Sequence, residues 1–332
     1  MTMPVNEARA RNEAPVRAVG AARFRISTPR GNGSVPVFFG GASDMLLVER
    51  VVIMLHGRLR DADAYLRTVE RALDASSVAR ETTLLVAPQF LATADVEHHA
   101  LDADTLHWEW TAWMGGLDAP GPCALSSFDV LDALIAHYAD HARYPAMRDI
   151  VIAGHSGGAQ VAHRYAIVGR ASSGAARLRH VIANPSSYVY FDASRPYPAS
   201  LPCDDVNDWK YGLGRLPRYA RDDAHTRDLE AHYARSDVTY LLGERDCDPL
   251  HPALDRTCAA NAQGPHRLAR GRAYYAYLRA RHPRLMHRYH EVPDAGHSGE
   301  AMFVSDAGIR ALFGDDARLV RSVAGDAGGA SE

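Results

Sequence analysis

The stretch DIVIAGHSGGAQVAHRY, from Asp149 to Tyr165, decides how the rest of the chain is interpreted. Its first part, Ile150–Ala153, is a short apolar run of the kind found in strands that are buried on both faces of a parallel sheet. From Ala159 onward, apolar residues recur at helical spacing as far as Val168. Small residues lie between the two parts, so the stretch predicts a strand, a sharp turn and a helix.

The turn itself reads GHSGG and places Ser156 at its centre. It fits the pattern G-x-S-x-G, in which a strained strand-to-helix turn exposes a nucleophilic serine. The positions two residues from the serine must be small, because the two backbones pass close to each other there. The helix also points its free N–H groups and partial positive charge at the turn, where they can stabilise a developing oxyanion. The pattern alone is weak evidence, but the strand and helix around it favour Ser156 as a nucleophile.

Similar runs occur along the rest of the chain and predict an α/β fold. Further strands are expected at Val51–Leu55, Thr83–Ala87, His180–Ala183 and Val238–Leu242, with a weaker candidate at Met286–Val292. Helices are expected at Ala62–Leu73, Phe128–His141, Arg267–Arg281 and Glu300–Phe313. Such alternation predicts a mostly parallel central sheet with helices on both faces. Antiparallel strands within Phe24–Leu47 should lead into this sheet, because Gly-Asn-Gly and Gly-Gly interrupt its apolar residues.

The predicted organisation is a single domain at 21–314 between two disordered ends. Residues 315–332 are rich in Ala, Gly and Asp, which is typical of a disordered tail. Residues 1–20 lack the apolar region of a secretory signal and are expected to be a disordered leader. A cytoplasmic location is therefore the default expectation.

Two long connections follow the carboxyl ends of predicted strands, where open α/β sheets bind ligands. One connection carries Trp108, Trp110 and Trp113, and the other carries Tyr188. We expect these four side chains to contact substrate, and we expect residues 185–236 to form a loop-rich, lid-like insertion. The alternative is that the aromatic rings only pack the loops against the domain.

Composition excludes several classes of function. The formal charge is −3, and 36 of the 37 basic residues are arginine, which leaves Lys210 as the only candidate for Schiff-base chemistry. The arginines and tyrosines of Arg267–Arg281 fit a solvated outer helix better than a nucleic-acid surface. No apolar run approaches the ~20 residues of a membrane helix. We therefore expect neither a nucleic-acid partner nor a membrane span.

The four cysteines show no metal-ligand spacing, and no cofactor or metal is expected. Cys247 and Cys258 flank a short loop after a predicted strand. A disulfide between these two residues is one expectation, although cytosolic thiols are usually reduced.

Further motifs resemble those of the α/β-hydrolase superfamily, over about Val48 to Phe313. His56 and Gly57 follow the first core strand, the GHSGG turn follows the third, and His297 lies between the last predicted strand and the final helix. Within the superfamily the chain looks like the serine esterase and depolymerase branch. The resemblance implies the α/β-hydrolase fold and a Ser-Asp-His catalytic triad, in the chain order that this fold uses.

The resemblance also assigns roles to individual residues. Ser156 would be the nucleophile and His297 the general base. The acid follows the next-to-last core strand, usually as a glycine, two residues and then a carboxylate, which selects Asp246 over Glu244 and Asp248. Its task is to hold the imidazole in the right tautomer.

The oxyanion hole would be formed by the backbone N–H groups of Arg58 and Gly157. The chain has Arg58-Leu59-Arg60 where some lipases and esterases have further glycines after His-Gly. This departure leaves the donor near Arg58 open.

The expected function is hydrolysis of a carboxylic ester, small or polymeric, through an acyl-enzyme on Ser156. A peptidase, thioesterase or lactonase would use the same machinery. A non-catalytic binding protein of this fold is the alternative from another class, although such descendants normally lose the serine or the histidine. The sequence does not indicate the oligomeric state.

Overall fold

A computed structural model describes residues 14–197, 203–224 and 228–320. The strands β1 to β10 are Ala22–Thr28, Gly31–Gly41, Arg50–Leu55, Thr83–Pro88, Leu91–Ala92, His107–Trp108, Asp149–His155, Arg177–Ala183, Asp237–Gly243 and Arg288–Val292. The α-helices α1 to α10 are Ala62–Asp74, Thr93–His98, Ser127–Tyr138, Gly157–Val168, Arg218–Ala224, Leu229–Arg235, Cys258–Asn261, Arg267–Arg281, Gly299–Phe303 and Asp306–Phe313.

Eight of the strands form one sheet in the order β1-β2-β4-β3-β7-β8-β9-β10. The six strands from β4 to β10 in this order are mutually parallel. At the other edge β2 pairs antiparallel with both β1 and β4. The predicted mostly parallel sheet with an antiparallel lead-in is confirmed, and the weaker candidate strand is β10.

The sheet is buried on both of its faces. Successive side chains of a strand point to opposite faces, and in β3 they alternate between two separate hydrophobic clusters. Val51 and Ile53 join one cluster together with residues of α3, α4 and α8, whereas Val52 and Met54 join a second cluster with residues of α1 and α10. Helices therefore cover both faces, as the apolar runs in the sequence predict.

The turn between β7 and α4 is as tight as its sequence predicts. Ser156 adopts φ 56° and ψ −112°, an unfavourable conformation for a residue with a side chain. A Cβ on Gly154 would lie 2.3 Å from the carbonyl carbon of Gly158, and a Cβ on Gly158 would lie 2.3 Å from the carbonyl oxygen of Leu55. Both positions therefore require glycine, and close packing of β3, β7 and α4 holds the strained serine.

The helix α8 has only part of the solvated arginine face that we expected, since Arg272, Arg279 and Arg281 are exposed. Arg267 and Arg270 are completely buried, together with Tyr274 and Leu278 of the same face. The spacing of these residues is helical, but two charged side chains occupy positions where apolar ones would normally lie. The prediction was wrong for these two arginines because their partners come from segments distant in the sequence.

The last predicted helix, Glu300–Phe313, is divided into α9 and α10. Ser305 separates them and begins the second, since its Oγ accepts a hydrogen bond from the backbone N–H of Gly308 at 3.0 Å. None of the helices in the described residues is long and apolar enough to cross a membrane.

The ends of the domain extend further than predicted. Within the expected leader, the backbone N–H of Val16 donates to Asp95 and that of Gly20 donates to Gln89. Within the expected tail, the backbone N–H of Val320 donates to the carbonyl oxygen of Ala75. The remainder of both predicted disordered ends, 1–13 and 321–332, lies outside the described residues.

The disulfide joins Cys203 to Cys258 and not Cys247 to Cys258. Cys247 is exposed, and its Sγ faces the carbonyl oxygen of Glu244 at 3.2 Å. The expected pair was chosen because the two cysteines are close in sequence. The insertion after β8 instead brings Cys203 to the start of α7, across a separation of 55 residues.

We expect peptide mapping without reductant to recover Cys203 and Cys258 in one cross-linked species and to find Cys247 fully alkylated. Because the bridge closes a loop of 55 residues, its reduction should lower the free energy of unfolding by about 4 kcal/mol in the chain-entropy estimate. Alkylation of Cys203 in the non-reduced, folded protein would contradict this pairing.

The crossing at the Ser156 turn leads to a prediction about stability. Gly158→Ala should lower the free energy of unfolding in urea by about 3 kcal/mol, because the added methyl group meets the backbone of Leu55. Gly296→Ala is the matched control, because a Cβ there has no atom within 4 Å, and it should change stability by less than about 1 kcal/mol. Equal unfolding midpoints for the two variants would show that the crossing is not tight.

Candidate active site

The carboxyl edge of the sheet brings four segments of the chain together. His56 and Arg58 follow β3, Ser156 follows β7, Asp246 follows β9 and His297 follows β10. These strands are parallel, so their carboxyl ends meet at the same edge although the segments are far apart in sequence.

A hydrogen-bonded chain connects the serine, the histidine and one aspartate. His297 Nε2 lies 3.0 Å from Ser156 Oγ, and His297 Nδ1 lies 2.7 Å from Asp246 Oδ2. Of the three carboxylates considered after β9, Asp246 is buried and makes this contact, whereas Glu244 and Asp248 are exposed. The structure therefore brings together the three residues that the sequence selects.

The carboxylate of Asp246 has a second cationic neighbour, Arg267. Arg267 Nη1 donates to Asp246 Oδ1 at 3.3 Å, and both side chains are buried. Burial alone would raise the pKa of Asp246, but the hydrogen bond with His297 and the charge of Arg267 outweigh it, so the pKa is lowered. Asp246 is consequently ionised at neutral pH, as an orienting acid must be.

Two further imidazoles flank His297. The ring of His155 is centred 4.5 Å from that of His297, and the ring of His251 is centred 4.8 Å from it. Burial, followed by neighbouring positive groups, lowers the pKa of His155 well below 6.5 and that of His251 to about 4. Both rings are neutral at pH 7 and add no charge beside His297.

Burial also lowers the pKa of His297, against the opposing effect of its hydrogen bond with Asp246. The imidazole is therefore neutral at pH 7. In that state Nε2 can accept the serine proton while Nδ1–H donates to the carboxylate.

Two backbone amides converge beside Ser156. A Cβ built on Gly157 would lie 3.0 Å from the backbone nitrogen of Arg58, and both residues line the same cavity as the serine. Gly157 is the first residue of α4, where the N–H groups of a helix have no partner within the helix. The two residues named from the sequence as oxyanion donors are thus adjacent, and both line the same cavity as Ser156.

The loop that carries Arg58 is fixed on either side. The backbone N–H of Phe90 donates to His56 Nε2 at 2.9 Å, and His56 Nδ1 lies 2.8 Å from the carbonyl oxygen of Gly57. Two residues later, the buried Arg60 pairs with Asp95 at 2.6 Å. These contacts hold the turn in place although no glycine follows Gly57. The donor expected from Arg58 is its backbone N–H, so only the backbone of this residue needs to face the site.

A cavity of about 550 Å³ opens over Ser156. Its wall includes Trp110, Met114, Lys210 and Asp255. Lys210 comes from the predicted insertion, so this segment contributes directly to the site.

Three of the four aromatic residues expected to bind substrate do not line the cavity. Trp108 and Trp113 are fully buried in the hydrophobic core, and Tyr188 is fully buried and stacks on Tyr274. The aromatic clustering in their sequence comes from loop packing, which was the alternative interpretation. Only Trp110 lines the cavity.

Sequence reasoning missed Arg267, Lys210 and Gln160. Arg267 was assigned to a solvated helix, and Lys210 was noticed only for its rarity. Gln160 lines the cavity one helical turn after the nucleophile, and that spacing was the one available signal.

One group of side chains in the described parts of the chain is close enough to suggest a metal site, namely Cys203, Asp205 and Cys258. Both of its sulfur atoms belong to the disulfide. It therefore lacks the thiolates that a metal would need.

Comparison with known proteins gives structural neighbours but no sequence family. No protein-family model matches the chain, and no curated sequence matches it. Among solved structures, poly(aspartic acid) hydrolase-1 from Sphingomonas sp. KT-1 is 25% identical, covering 87% of this chain and 96% of its own with a TM-score of 0.59. LpqC, a poly(3-hydroxybutyrate) depolymerase from Bordetella parapertussis, is 23% identical, covering 85% and 86% with a TM-score of 0.55. Together with the sheet order, these similarities show that the chain has the α/β-hydrolase fold and is a hydrolase of that superfamily.

Proposed function

We propose that the protein is a serine hydrolase that cleaves a carboxylic ester through an acyl-enzyme on Ser156. The observation that carries this proposal is the continuous chain of contacts from Ser156 Oγ through His297 to Asp246, at 3.0 and 2.7 Å. A neutral histidine within hydrogen-bond reach of a serine is the arrangement that activates a hydroxyl nucleophile.

In the acylation step, Ser156 Oγ attacks the carbonyl carbon of the ester while His297 Nε2 takes the hydroxyl proton. The carbonyl electron pair moves onto oxygen, and the backbone N–H groups of Arg58 and Gly157 stabilise the oxyanion. When the oxyanion collapses, the bond to the leaving alcohol breaks and His297 returns the proton to that oxygen. Water then repeats the sequence on the acyl-enzyme and releases the acid.

Asp246 acts by holding His297. Its carboxylate accepts the Nδ1 proton, which leaves Nε2 free to face the serine, and it stabilises the imidazolium that forms. Arg267 keeps the carboxylate ionised and fixes its other oxygen. The lowered pKa of Asp246 supports this role, since a protonated acid could not accept that bond.

Amide hydrolysis is the second candidate, because one structural neighbour is described as a poly(aspartic acid) hydrolase. An amide would pass through the same acyl-enzyme, with an amine as the leaving group. The other neighbour is described as a polyester depolymerase. Parallel assays with esters and amides of the same acid distinguish the two candidates, and the same assays can include the thioester and lactone.

Ser156 should react with a fluorophosphonate probe, because the probe traps an activated serine. Ser156→Ala should abolish labelling and lower kcat by roughly 10⁴-fold or more, leaving only the contribution of binding and the oxyanion hole. Ser186→Ala is the matched control, since Ser186 also lines the cavity but lies outside the hydrogen-bonded chain, and it should label normally. Absence of labelling in the wild type would favour a non-catalytic binding protein.

The role of the acid can be tested by exchanging each candidate for its amide. Asp246→Asn should keep the fold and lower kcat by roughly 10⁴-fold at pH 7, because the amide favours the wrong histidine tautomer. Asp248→Asn, at an exposed position two residues later, should lower kcat by less than about threefold. Steady-state kinetics with one ester measures both, and the reverse ranking would assign the acid to Asp248.

A further inference from the structure

The cavity over Ser156 is unusually rich in positive charge. Its wall includes Arg58, Lys210 and Arg256, and Asp255 is the one carboxylate among the lining residues. The rest of the wall is mainly apolar, as in most small-molecule sites, so these few charged groups would fix the orientation of a ligand.

The carboxylate of Asp255 already interacts with several neighbouring hydrogen-bond donors. It lies 3.1 Å from Lys210 Nζ and accepts hydrogen bonds from Tyr211 at 2.8 Å and from Thr257 at 2.9 Å. Although burial alone would raise it, the charge of Lys210 and these hydrogen bonds lower the pKa of Asp255 to about 2. Asp255 is therefore ionised at neutral pH and offsets the charge of Lys210, its ion-pair partner.

A fully buried arginine lies directly behind one side of the wall. Arg164 donates to the carbonyl oxygen of Met114 at 2.6 Å and to Gln160 Oε1 at 2.7 Å, and both of these residues line the cavity. It also donates to Ser187 Oγ at 3.1 Å, so these acceptors are neutral oxygens, although the charge of Asp255 also acts on it. Burial lowers its pKa to about 10, so it is still charged at pH 7.

A second fully buried arginine contacts two other residues of the wall. Arg270 donates to the carbonyl oxygens of Ser186 at 2.6 Å and Asp255 at 2.9 Å, again two lining residues. Its other acceptors are the neutral oxygens of Gly264 and Asn261. Burial lowers its pKa to about 10, and it too is a cation at neutral pH.

These observations combine into one electrostatic picture. Lys210 lines the cavity and two buried arginines contact its wall, whereas Asp255 is the one carboxylate among the lining residues; the nearby Asp246 is already matched by Arg267. A buried charge without a counter-ion is costly to the folded state. An anion in the cavity would compensate these charges in a medium where charge interactions are strong.

Building on the proposed function, we propose that the natural substrate is an ester that carries a free carboxylate, and that Lys210 binds this group. Lys210 is suited to the task because its half-buried ammonium has three donors, of which Asp255 takes one. The carboxylate belongs to the acid or the alcohol part of the ester, a few bonds from the carbonyl that Ser156 attacks.

Two matched pairs of esters test this specificity. For the acid part, 4-nitrophenyl hexanoate is compared with the mono-4-nitrophenyl ester of adipic acid, which carries a carboxylate in place of the terminal methyl group. For the alcohol part, pentyl acetate is compared with 5-acetoxypentanoate. Each kcat/KM is divided by the rate constant for hydrolysis of the same ester by hydroxide, which corrects for differences in intrinsic reactivity. The corrected kcat/KM should favour the anionic ester at least tenfold in one of the two pairs, which is the effect of a single charge-assisted hydrogen bond.

Variants of Lys210 test whether this side chain causes the preference for the anionic ester. Lys210→Met should reduce the ratio of kcat/KM for the anionic ester to that for its neutral match by about tenfold, whereas Lys210→Arg should retain most of the ratio. Arg215→Met is the control, because Arg215 belongs to the same insertion but is 84% exposed and does not line the cavity. It should leave the ratio unchanged.

The outcomes separate this proposal from the proposed function. Normal turnover of both neutral esters without preference for either anionic one would overturn the carboxylate proposal and leave the serine hydrolase intact. A wild-type preference that persists in Lys210→Met would overturn the assignment to Lys210. Failure to turn over any ester, with no labelling of Ser156, would overturn the proposed function itself. The wild-type comparison remains decisive if Lys210→Met does not fold.

Discussion

The close crossing of β3, β7 and α4 is the constraint on which the site depends. Gly154 and Gly158 let the backbones approach until no further carbon atom fits, and this packing holds Ser156 in a strained conformation. In this packing Ser156 Oγ lies within hydrogen-bond distance of His297. The packing also brings Gly157 close to the backbone nitrogen of Arg58, so the proposed nucleophile and the two proposed oxyanion donors are positioned by one contact.

Buried arginine side chains are a second feature of the structure. Arg267 and Arg270 of α8 and Arg164 of α4 lie inside the domain, where most of their hydrogen bonds go to neutral oxygens. Such an arrangement contributes little to folding stability and is costly to maintain. The buried position of Arg267 is explained by Asp246, because Arg267 keeps the carboxylate of Asp246 ionised. Arg164 and Arg270 have no such partner, and their common feature is contact with residues of the cavity wall.

Much of the fold and of the site could be predicted from the sequence, because both depend on local patterns. The apolar runs predict the strands, helical spacing predicts the helices, and the positions just after β7, β9 and β10 predict Ser156, Asp246 and His297. These signals are local, and the parallel sheet then brings the three positions to one edge.

The errors share a different cause, namely contacts between distant segments. An aromatic residue in a loop has the same sequence signal whether it lines the cavity, as Trp110 does, or lies in the core, as Trp108 does. Likewise, nothing near Cys258 indicates that Cys203 is its partner. The buried arginines of α8 look like surface residues until Asp246 and the loop after β8 are placed against them.

The most direct test of this account is to trap the covalent intermediate. The enzyme is mixed with 4-nitrophenyl hexanoate, quenched in acid within milliseconds and examined by mass spectrometry of the intact protein and its peptides. We expect a mass increase of one hexanoyl group, located on the peptide that contains Ser156 and absent from Ser156→Ala. Rapid release of nitrophenol with no acylated protein, or an acyl group on another residue, would contradict it.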